Sequence, residues 1–238
     1  MHNCELLAWD SAFFGFSVAR IGARVADADA LGEVLLALRE RGVRLAYWFA
    51  DPGERSERAA DGLRGTRVGG RVLYRRDLAQ AGEAHSAVEV VRYAGAQADD
   101  ALITLAVQAG ALSRFALDPA MPPGTAARMY RLWIERSVTG EIADAVYVAG
   151  GAPDRRAGMI TTAAQDDAGV IGLLAVADGH RGAGIGRALV EAAHRHFRAR
   201  GLARAQVATQ EENTAANRLY EACGYRRART DAVFHFWL

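Results

Sequence analysis

Cysteine is scarce in this sequence, which argues against a fold held by disulfides or metal. The 238 residues contain only Cys4 and Cys223, and neither has the spacing of a zinc site or a redox pair. Cys223 is therefore expected to be a small, buried, apolar side chain. His194 and His196 are two positions apart on a predicted helix, so they cannot share one metal ion. We expect no metal site.

The sequence also lacks a strong charge excess and long apolar runs. Its formal net charge is +1, too little to recruit nucleic acid or a membrane surface. The apolar runs are shorter than a membrane span, and the first ten residues lack the basic region and apolar core of a signal peptide. We therefore expect a cytoplasmic protein with no nucleic-acid or membrane partner. The hydrophobic fraction of 51% is ample for a core.

The length suits one large or two small domains, and we place a boundary at the small, polar residues Ala81–Ala87. Residues 1–85 are predicted to form a small α/β N-terminal domain, and residues 86–238 a second domain. In the first domain the apolar periodicity predicts strands and helices. The strands are Glu5–Trp9, Val18–Ile21, Val43–Phe49 and Arg67–Arg75, and the helices run from Asp27 or Asp29 to Arg41 and from Ser56 to Leu63.

The second domain reads as one strand, two helices, three strands, helix, strand, helix and strand. Asp99 or Asp100 is a predicted N-cap of its first helix, and Thr125 of its second. The helices are the one capped by Asp99 or Asp100, Ala126–Val138, one that begins near Gly184–Arg187, and Asn213–Cys223. The strands are Val88–Tyr93, Ala143–Gly150, Gly158–Thr162, Gly169–Val176, Ala203–Thr209 and Phe234–Leu238, with Thr230–Val233 as a candidate extension of the last.

A glycine-rich turn between an apolar strand and a helix is the strongest functional signal. The strand Val170–Val176 leads into the turn Gly179–Gly186. A strand, glycine turn and helix start together offer free backbone N–H groups to an anion. The glycines permit positive φ and a close approach of phosphate to the chain. Arg181 and Arg187 bracket the turn and add charge-assisted donors.

The turn differs from two common nucleotide-binding motifs. It lacks the Gly-Lys-Ser/Thr of a P-loop, and the strand after the helix, Ala203–Thr209, does not end in an acid as a Rossmann unit would. Its pattern is R-x-x-G-x-G at Arg181–Gly186, followed by N-x-x-A-x-x-L-Y-x-x-x-G-Y at Asn213–Tyr225. Together the two patterns resemble the central motifs of the GNAT acyl-CoA N-acyltransferases.

This resemblance implies a fold, a co-substrate and a binding site. The fold would be α/β, with a mixed, mostly antiparallel central sheet flanked by helices (the GNAT fold), here preceded by the smaller N-terminal domain. The co-substrate would be acetyl-CoA. Its pantetheine arm would pair as an extra strand with Leu174, Ala175 and Val176, where family members splay the sheet. Its pyrophosphate would lie on Arg181, Gly182, Ala183, Gly184, Ile185, Gly186 and Arg187.

Asn213 and Tyr220 are seven residues apart, so they share one face of a helix with Asn217. The resemblance implies that Asn213 bonds the pantetheine and that Tyr220 protonates the departing CoA thiolate in a direct transfer. A phenol with a pKa near about 10 suits that leaving group. Tyr220 could instead be a packed aromatic, and Asn217 a surface residue or a ligand. Glu211 and Glu212 are expected to open the helix and stabilise its dipole; we assign no general base.

Three further patterns concern the acceptor: W-D-S-A-F-F-G-F, S-R-F-A-L-D-P and M-Y-R-L-W-I-E-R-S-V-T-G. They are similar to the dTDP-fucosamine acetyltransferase group, which implies a dTDP-linked amino sugar as acceptor. Arg114, Trp133 and Arg136 are candidates near the acceptor, and Arg114 could meet a sugar-nucleotide phosphate or be a surface charge.

The sequence also allows other functions. The acceptor could be another small amine, an aminoglycoside or a protein N-terminus. A non-catalytic acyl-CoA sensor is a third class. The aromatic N-terminal cluster and the strand Phe234–Leu238 could form a homodimer contact or belong to the core.

Overall fold

The computed structural model describes residues 4–22, 27–79, 87–150 and 156–238. These residues form ten strands and eight helices. The strands are β1 (Cys4–Leu6), β2 (Val18–Ile21), β3 (Leu45–Ala50), β4 (Thr66–Asp77), β5 (Val90–Arg92), β6 (Ala145–Ala149), β7 (Gly158–Gln165), β8 (Ala168–Val176), β9 (Arg204–Gln210) and β10 (Arg226–Trp237). The helices are α1 (Ala8–Phe14), α2 (Ala28–Glu40), α3 (Glu54–Gly62), α4 (Asp100–Ala109), α5 (Arg114–Leu117), α6 (Thr125–Val138), α7 (Ile185–Ala199) and α8 (Thr214–Ala222).

All ten strands belong to one sheet, in the order β1-β2-β3-β10-β4-β9-β8-β7-β6-β5. The pairs β2–β3 and β8–β9 are parallel, and the other seven neighbouring pairs are antiparallel. Each parallel pair is joined by a helix, α2 or α7, as a parallel connection requires. The prediction of a mixed, mostly antiparallel sheet flanked by helices is confirmed.

Strands from both predicted domains share this sheet. β10 lies between β3 and β4 and pairs with both, while β4 lies between β10 and β9. The predicted boundary at residue 85 falls among residues 80–86, outside the described residues, and the division into two domains stays a prediction. Whatever that division, residues of the N-terminal third build the middle of the sheet.

Alternation along the central strands directs side chains to helices on both faces. On β3, Ala46 and Trp48 join the core cluster under α2 and α3, whereas Leu45 and Tyr47 face the cluster with α1, α5 and α6. Two further clusters pack α7 and α8, and α4 and α6, against the sheet. The aromatic residues of α1 belong to this packing, since Trp9 lies 6.1 Å from the ring of Trp133. A homodimer contact there stays a prediction.

The structure corrects the expected strand Glu5–Trp9. The strand ends at Leu6, and Trp9 lies in α1. The Ser11 hydroxyl donates to the Leu7 carbonyl at 2.7 Å and accepts from the Val18 N–H at 2.9 Å, so it ties this helix to β2. Short apolar runs do not distinguish a strand from a helix, because both can bury them.

One expected helix cap was wrong. Thr125 was expected as the cap of α6, but it is the first helical residue, and Gly124 with φ 78° precedes it. Ser113 caps the short helix α5, because its hydroxyl accepts from the Ala116 N–H at 3.3 Å. Asp27 and Asp99 do cap α2 and α4, and each accepts an N–H three residues on at 2.9 Å.

None of the helices in the described part of the chain has the length and apolarity that a membrane span requires.

Candidate functional site

β8 and β9 are paired only over their first halves. The parallel pairing ends at Ile171 and Val207. Beyond that point β8 runs on to Val176 against β7, and β9 runs on to Gln210 against β4. Among the described residues, the edge of β8 that faces β9 therefore has no strand partner from Gly172 onward. A free strand edge of this kind can pair with an extended, peptide-like ligand.

The three residues predicted to hold the pantetheine arm lie on this divergent part of β8. Leu174, Ala175 and Val176 pair on their other side with β7. The Val176 carbonyl accepts from Gln108 Nε2 at 3.0 Å, and the same amide donates to Asp178 at 3.0 Å. Gln108 therefore fixes the end of β8 to the turn that follows it. A ligand would have to pair with the other backbone groups of this edge.

The glycine turn connects this edge to α7. A short 3-10 turn at Asp178–His180 is followed by Gly182 and Gly184, whose φ angles are 81° and 77°. A side chain at either glycine would meet no atom within 4 Å, so the space above the turn is open. The Ala188 N–H closes the first turn of α7 on the Gly184 carbonyl. The N–H groups of the preceding helical residues, from Ile185, point out of the helix end and suit an anion.

The two arginines that bracket the turn have different surroundings. Arg181 pairs with Asp178 at 2.7 Å, and both side chains are exposed. An exposed pair of this kind is weak, so Arg181 can exchange its partner for a phosphate. Arg187 donates to the Ala222 carbonyl at 3.1 Å, at the C-terminal end of α8. Arg187 thus connects α7 to α8, and its predicted role at the phosphate stays a prediction.

Asn217 is buried, with 4% of its surface exposed. Its amide nitrogen lies 3.1, 3.0 and 2.8 Å from the carbonyls of Gln210, Glu211 and Asn213. Its Oδ1 accepts from the Tyr74 hydroxyl at 3.0 Å. The alternative that Asn217 is a surface residue is therefore wrong, because its side chain holds the connection between β9 and α8. Its role as a ligand stays a prediction.

Asn213 begins α8. Its Oδ1 accepts from the Ala216 N–H at 3.1 Å, which is N-cap geometry. Glu211 and Glu212 therefore precede the helix and do not open it, contrary to expectation. The Glu212 carboxylate instead accepts from the Gly70 N–H at 2.9 Å and so connects this loop to β4.

Tyr220 is buried in the core that joins α7 and α8. Its ring lies 5.9 Å from that of Tyr74 and 5.7 Å from that of Tyr225. Burial raises the pKa of Tyr220 above its ordinary value, so the hydroxyl keeps its proton at neutral pH. A Cβ on Gly186 would lie 3.0 Å from Leu219, which shows how closely α8 packs on the first turn of α7. This burial fits the alternative that Tyr220 is a packed aromatic, and its role as an acid stays a prediction.

A cavity of about 330 Å³ opens where β8 and β9 diverge. Its lining includes Gly172 and Leu173 of β8 and Thr209 of β9, together with α5 and α6. Of the described lining residues, none is an aspartate, a glutamate or a histidine. The wall nearest the divergent strands can therefore offer hydroxyl, amide and backbone groups, but no strong base.

Of the three acceptor candidates, Arg114 and Trp133 line this cavity. Arg136 is not among its lining residues and pairs with Glu141 at 2.8 Å. Phe49 and Arg71 also line the cavity and were missed by sequence reasoning. They come from β3 and β4, and no local motif indicates that these strands reach the site.

Part of the chain that includes this region is similar to known proteins. Residues 116–225 match the model of the Acetyltransferase (GNAT) family. Two similar relatives are both described as mycothiol acetyltransferase. The one from Streptosporangium roseum is 41% identical over 66 residues, which are 28% of this chain and 20% of the relative. The one from Thermobispora bispora is 46% identical over 54 residues, which are 23% of this chain and 18% of the relative. The chain thus spans about a fifth of these relatives.

Solved structures share the architecture at low sequence identity. A GCN5-related N-acetyltransferase from Sphaerobacter thermophilus has a TM-score of 0.64 at 16% identity, over 98% of this chain and 75% of its own. A GCN5-related N-acetyltransferase from Kribbella flavida has a TM-score of 0.57 at 15% identity, over 92% of this chain and 80% of its own. A tandem GNAT protein from the clavulanic acid biosynthesis pathway has a TM-score of 0.54 at 16% identity, over 92% of this chain and 74% of its own. These likenesses confirm the predicted GNAT fold.

Proposed function

We propose that this chain, with its GNAT fold and a GNAT family match over residues 116–225, is an acetyl-CoA-dependent N-acetyltransferase of a small amine. The observation that carries the proposal is the divergence of β8 and β9 after Ile171 and Val207. The gap adjoins both the glycine turn and a cavity of acceptor size. A strand edge for the pantetheine arm, an anion site and an acceptor cavity thus adjoin one another.

In this proposal the chain positions acetyl-CoA and supplies one proton. The N–H groups at the start of α7 hold the pyrophosphate, and Leu174–Val176 align the arm. The acceptor amine attacks the thioester carbonyl directly, a C–N bond forms, and the C–S bond breaks. Tyr220 gives its hydroxyl proton to the leaving thiolate. Burial raises the pKa of Tyr220, so the phenol carries this proton at neutral pH, although it is a weaker acid than a free tyrosine.

Removal of the amine proton is assigned to solvent. The cavity at the gap has hydroxyl and amide groups, such as Thr161, Thr209 and Gln210, and no carboxylate or imidazole among its described lining. An acceptor that enters as the neutral amine needs no strong base. The rate is therefore expected to rise with pH until the acceptor amine itself is deprotonated.

For the acceptor, we propose a nucleotide-linked amino sugar of the dTDP-4-amino-4,6-dideoxygalactose type. Arg114 and Trp133 in the cavity wall support this choice, because they suit a phosphate and a sugar or base ring. The mycothiol acetyltransferase relatives favour a second candidate, the acceptor of those enzymes. Other small amines, aminoglycosides, protein N-termini and a sensor without turnover are the remaining alternatives.

The test is an acceptor panel with acetyl-CoA, in which free CoA and acetylated product are separated by chromatography. A thiol reagent is less suitable, because Cys4 is partly exposed and would react. Turnover on a dTDP-amino sugar alone supports both the N-acetyltransferase activity and the proposed acceptor. Turnover only on another amine supports the activity and removes the sugar assignment. CoA binding with no turnover on any amine favours the sensor.

The chain contains no lysine, which makes the direct-transfer part separately testable. The protein's intact mass, measured during turnover, is expected to show no acetyl adduct. Lysine acetylation cannot obscure this result. An adduct that forms and decays at the turnover rate would contradict direct transfer.

A further inference from the structure

Two cavities of the protein meet at Arg114. The first is the cavity at the gap between β8 and β9. The second has a volume of about 520 Å³ and is lined by β1, β2, β3 and α1. Phe49, Arg71 and Arg114 line both. A molecule whose amine lies in the first cavity and whose other end lies in the second would therefore pass Arg114.

The second cavity has more arginines than acids among its described lining. Asp231 is 2% exposed in its side chain and pairs with two of the arginines, Arg71 and Arg229. One carboxylate thus neutralises only one of the two guanidinium groups with which it pairs, and this part of the cavity lining keeps a net positive charge. Arg20 is paired with Glu5. The charged lining consists of Arg20, Arg71, Arg114, Arg229, Glu5, Asp10 and Asp231.

Among the described arginines that line the second cavity, Arg114 is the one outside the ion pairs, and the acid that faces it is Asp10, whose carboxylate accepts from the Tyr47 hydroxyl at 3.2 Å. None of the ion pairs formed among residues 4–22, 27–79, 87–150 and 156–238 includes Arg114. Its Nε is buried and has no hydrogen-bond partner in that part of the chain. Burial of an unsatisfied donor is costly, so a bound acceptor atom would be favourable.

Aromatic rings fix the position of the Arg114 guanidinium. It lies 4.2 Å from the ring centre of Phe115, 4.5 Å from that of Tyr47 and 5.6 Å from that of Phe49. Such contacts hold a cation without neutralising it. A planar guanidinium held in place is well suited to a phosphate, to which it can donate two parallel hydrogen bonds.

We propose that Arg114, assisted by Arg71, binds a phosphate group of the acceptor at the junction of the two cavities and thereby selects phosphorylated amines. The inference rests on the proposed function, because it takes the first cavity as the place of the reacting amine. The volume of the second cavity would hold the part of the acceptor beyond the phosphate. Arg114 is in this view a specificity-determining residue, remote from the thioester.

The kinetic test compares an amino sugar phosphate with the same amino sugar without phosphate. Arg114→Gln is expected to raise KM for the phosphorylated acceptor by about 10- to 100-fold. It should leave kcat, and the KM of the neutral sugar, within about 2-fold of the wild-type values. Arg114→Lys keeps the charge but not the planar donors, so its KM for the phosphorylated acceptor should fall between those of wild type and Arg114→Gln. Arg131→Gln is the matched control, because Arg131 is an exposed arginine of α6 paired with Glu135.

A binding test separates this inference from the proposed function. Calorimetry measures binding of dTDP to the protein saturated with CoA, so that the glycine turn is already occupied. Arg114→Gln is expected to weaken dTDP binding at least 10-fold and to leave CoA binding unchanged, and the latter also shows that the variant is folded. This result supports the phosphate site even if no acceptor is acetylated.

The opposite results are equally clear. Failure of the wild-type protein to bind dTDP, or equal affinity of wild type and Arg114→Gln, would overturn the inference. So would an equal rise in KM for the phosphorylated and neutral sugars. The wild-type protein could instead prefer an amino acid over its amide as acceptor and lose this preference in Arg114→Gln. That result would show that Arg114 binds a carboxylate and would overturn the proposed selectivity for phosphate.

Discussion

The Tyr74 hydroxyl and the Asn217 side chain lie 3.0 Å apart in the core and connect β4 to α8. Asn217 in turn holds three carbonyls of the loop that precedes α8. The strand from the N-terminal third of the chain therefore supports the helix that carries Tyr220.

Tyr74→Phe should destabilise the protein by about 1–3 kcal/mol, because it leaves the buried Asn217 side chain without this partner. The hydroxyl also accepts from Arg227 Nε at 3.0 Å and lies 2.9 Å from Glu221 Oε1, a second acceptor for its proton. Urea unfolding with an unchanged m value measures the change. Tyr93→Phe is the control, since within the described parts of the chain that exposed hydroxyl donates to the Gln97 carbonyl alone, and its loss should cost less than about 0.5 kcal/mol. Equal losses in the two variants would refute the role of the Tyr74 contact.

Tyr220→Phe should lower turnover by about 10- to 1000-fold and leave acetyl-CoA affinity unchanged, because only the proton for the leaving thiolate is removed. Single-turnover kinetics and calorimetry measure the two quantities. Tyr147→Phe is the control, because it removes the hydroxyl of a half-buried tyrosine on β6 that contacts His196 at 3.0 Å. An unchanged rate in Tyr220→Phe would rule out the general-acid role.

Gly184→Val should abolish CoA binding, because a β-branched residue at φ 77° is strained and its side chain enters the open anion site. Gly201→Val is the matched control. Gly201 has φ 73° and equally open space, but it lies after the C-terminal end of α7. Both variants should lose stability by a similar amount, and only Gly184→Val should lose CoA affinity. Normal affinity in Gly184→Val would place the pyrophosphate elsewhere.

Acid should destabilise the fold through His194. Burial lowers the pKa of His194 from 6.5 to about 3, and its Nε2 lies 2.9 Å from the Tyr225 hydroxyl. Below pH 6.5 the unfolded chain therefore binds a proton at His194, whereas the folded chain does so only near pH 3. Stability due to this group is present above pH 6.5 and falls by up to about 1.4 kcal/mol per pH unit toward pH 3. In His194→Gln, unfolding free energies measured from pH 7 to 4 should have a shallower slope. Parallel curves would contradict this.

Local sequence patterns predicted most of the secondary structure and the glycine turn. The run Val170–Val176 and the cap at Asp27 needed only apolar periodicity and side-chain chemistry, and both appear as expected. The family resemblance added the divergence of the sheet at β8, which the pairing of β8 with β9 shows. These features depend on residues near one another in the chain.

The acceptor side could not be predicted in the same way. Arg71 and Phe49 reach the cavity because β4 and β3 are placed beside strands distant in sequence. A strand pattern specifies which side chains face inward but not which strand will be its neighbour. Likewise, the burial of Asn217 depends on Tyr74, a contact that no helical spacing reveals.

The interleaving of β10 between β3 and β4 has a consequence for how the protein is made. Arg71 and Asp231, which face each other in this pairing, are 160 residues apart in sequence. During synthesis on the ribosome, β3 and β4 emerge long before the strand that belongs between them. Such non-local pairing slows folding and leaves strand edges exposed to aggregation. Nascent chains are therefore expected to need protection until β10 emerges, and only then can the middle of the sheet close.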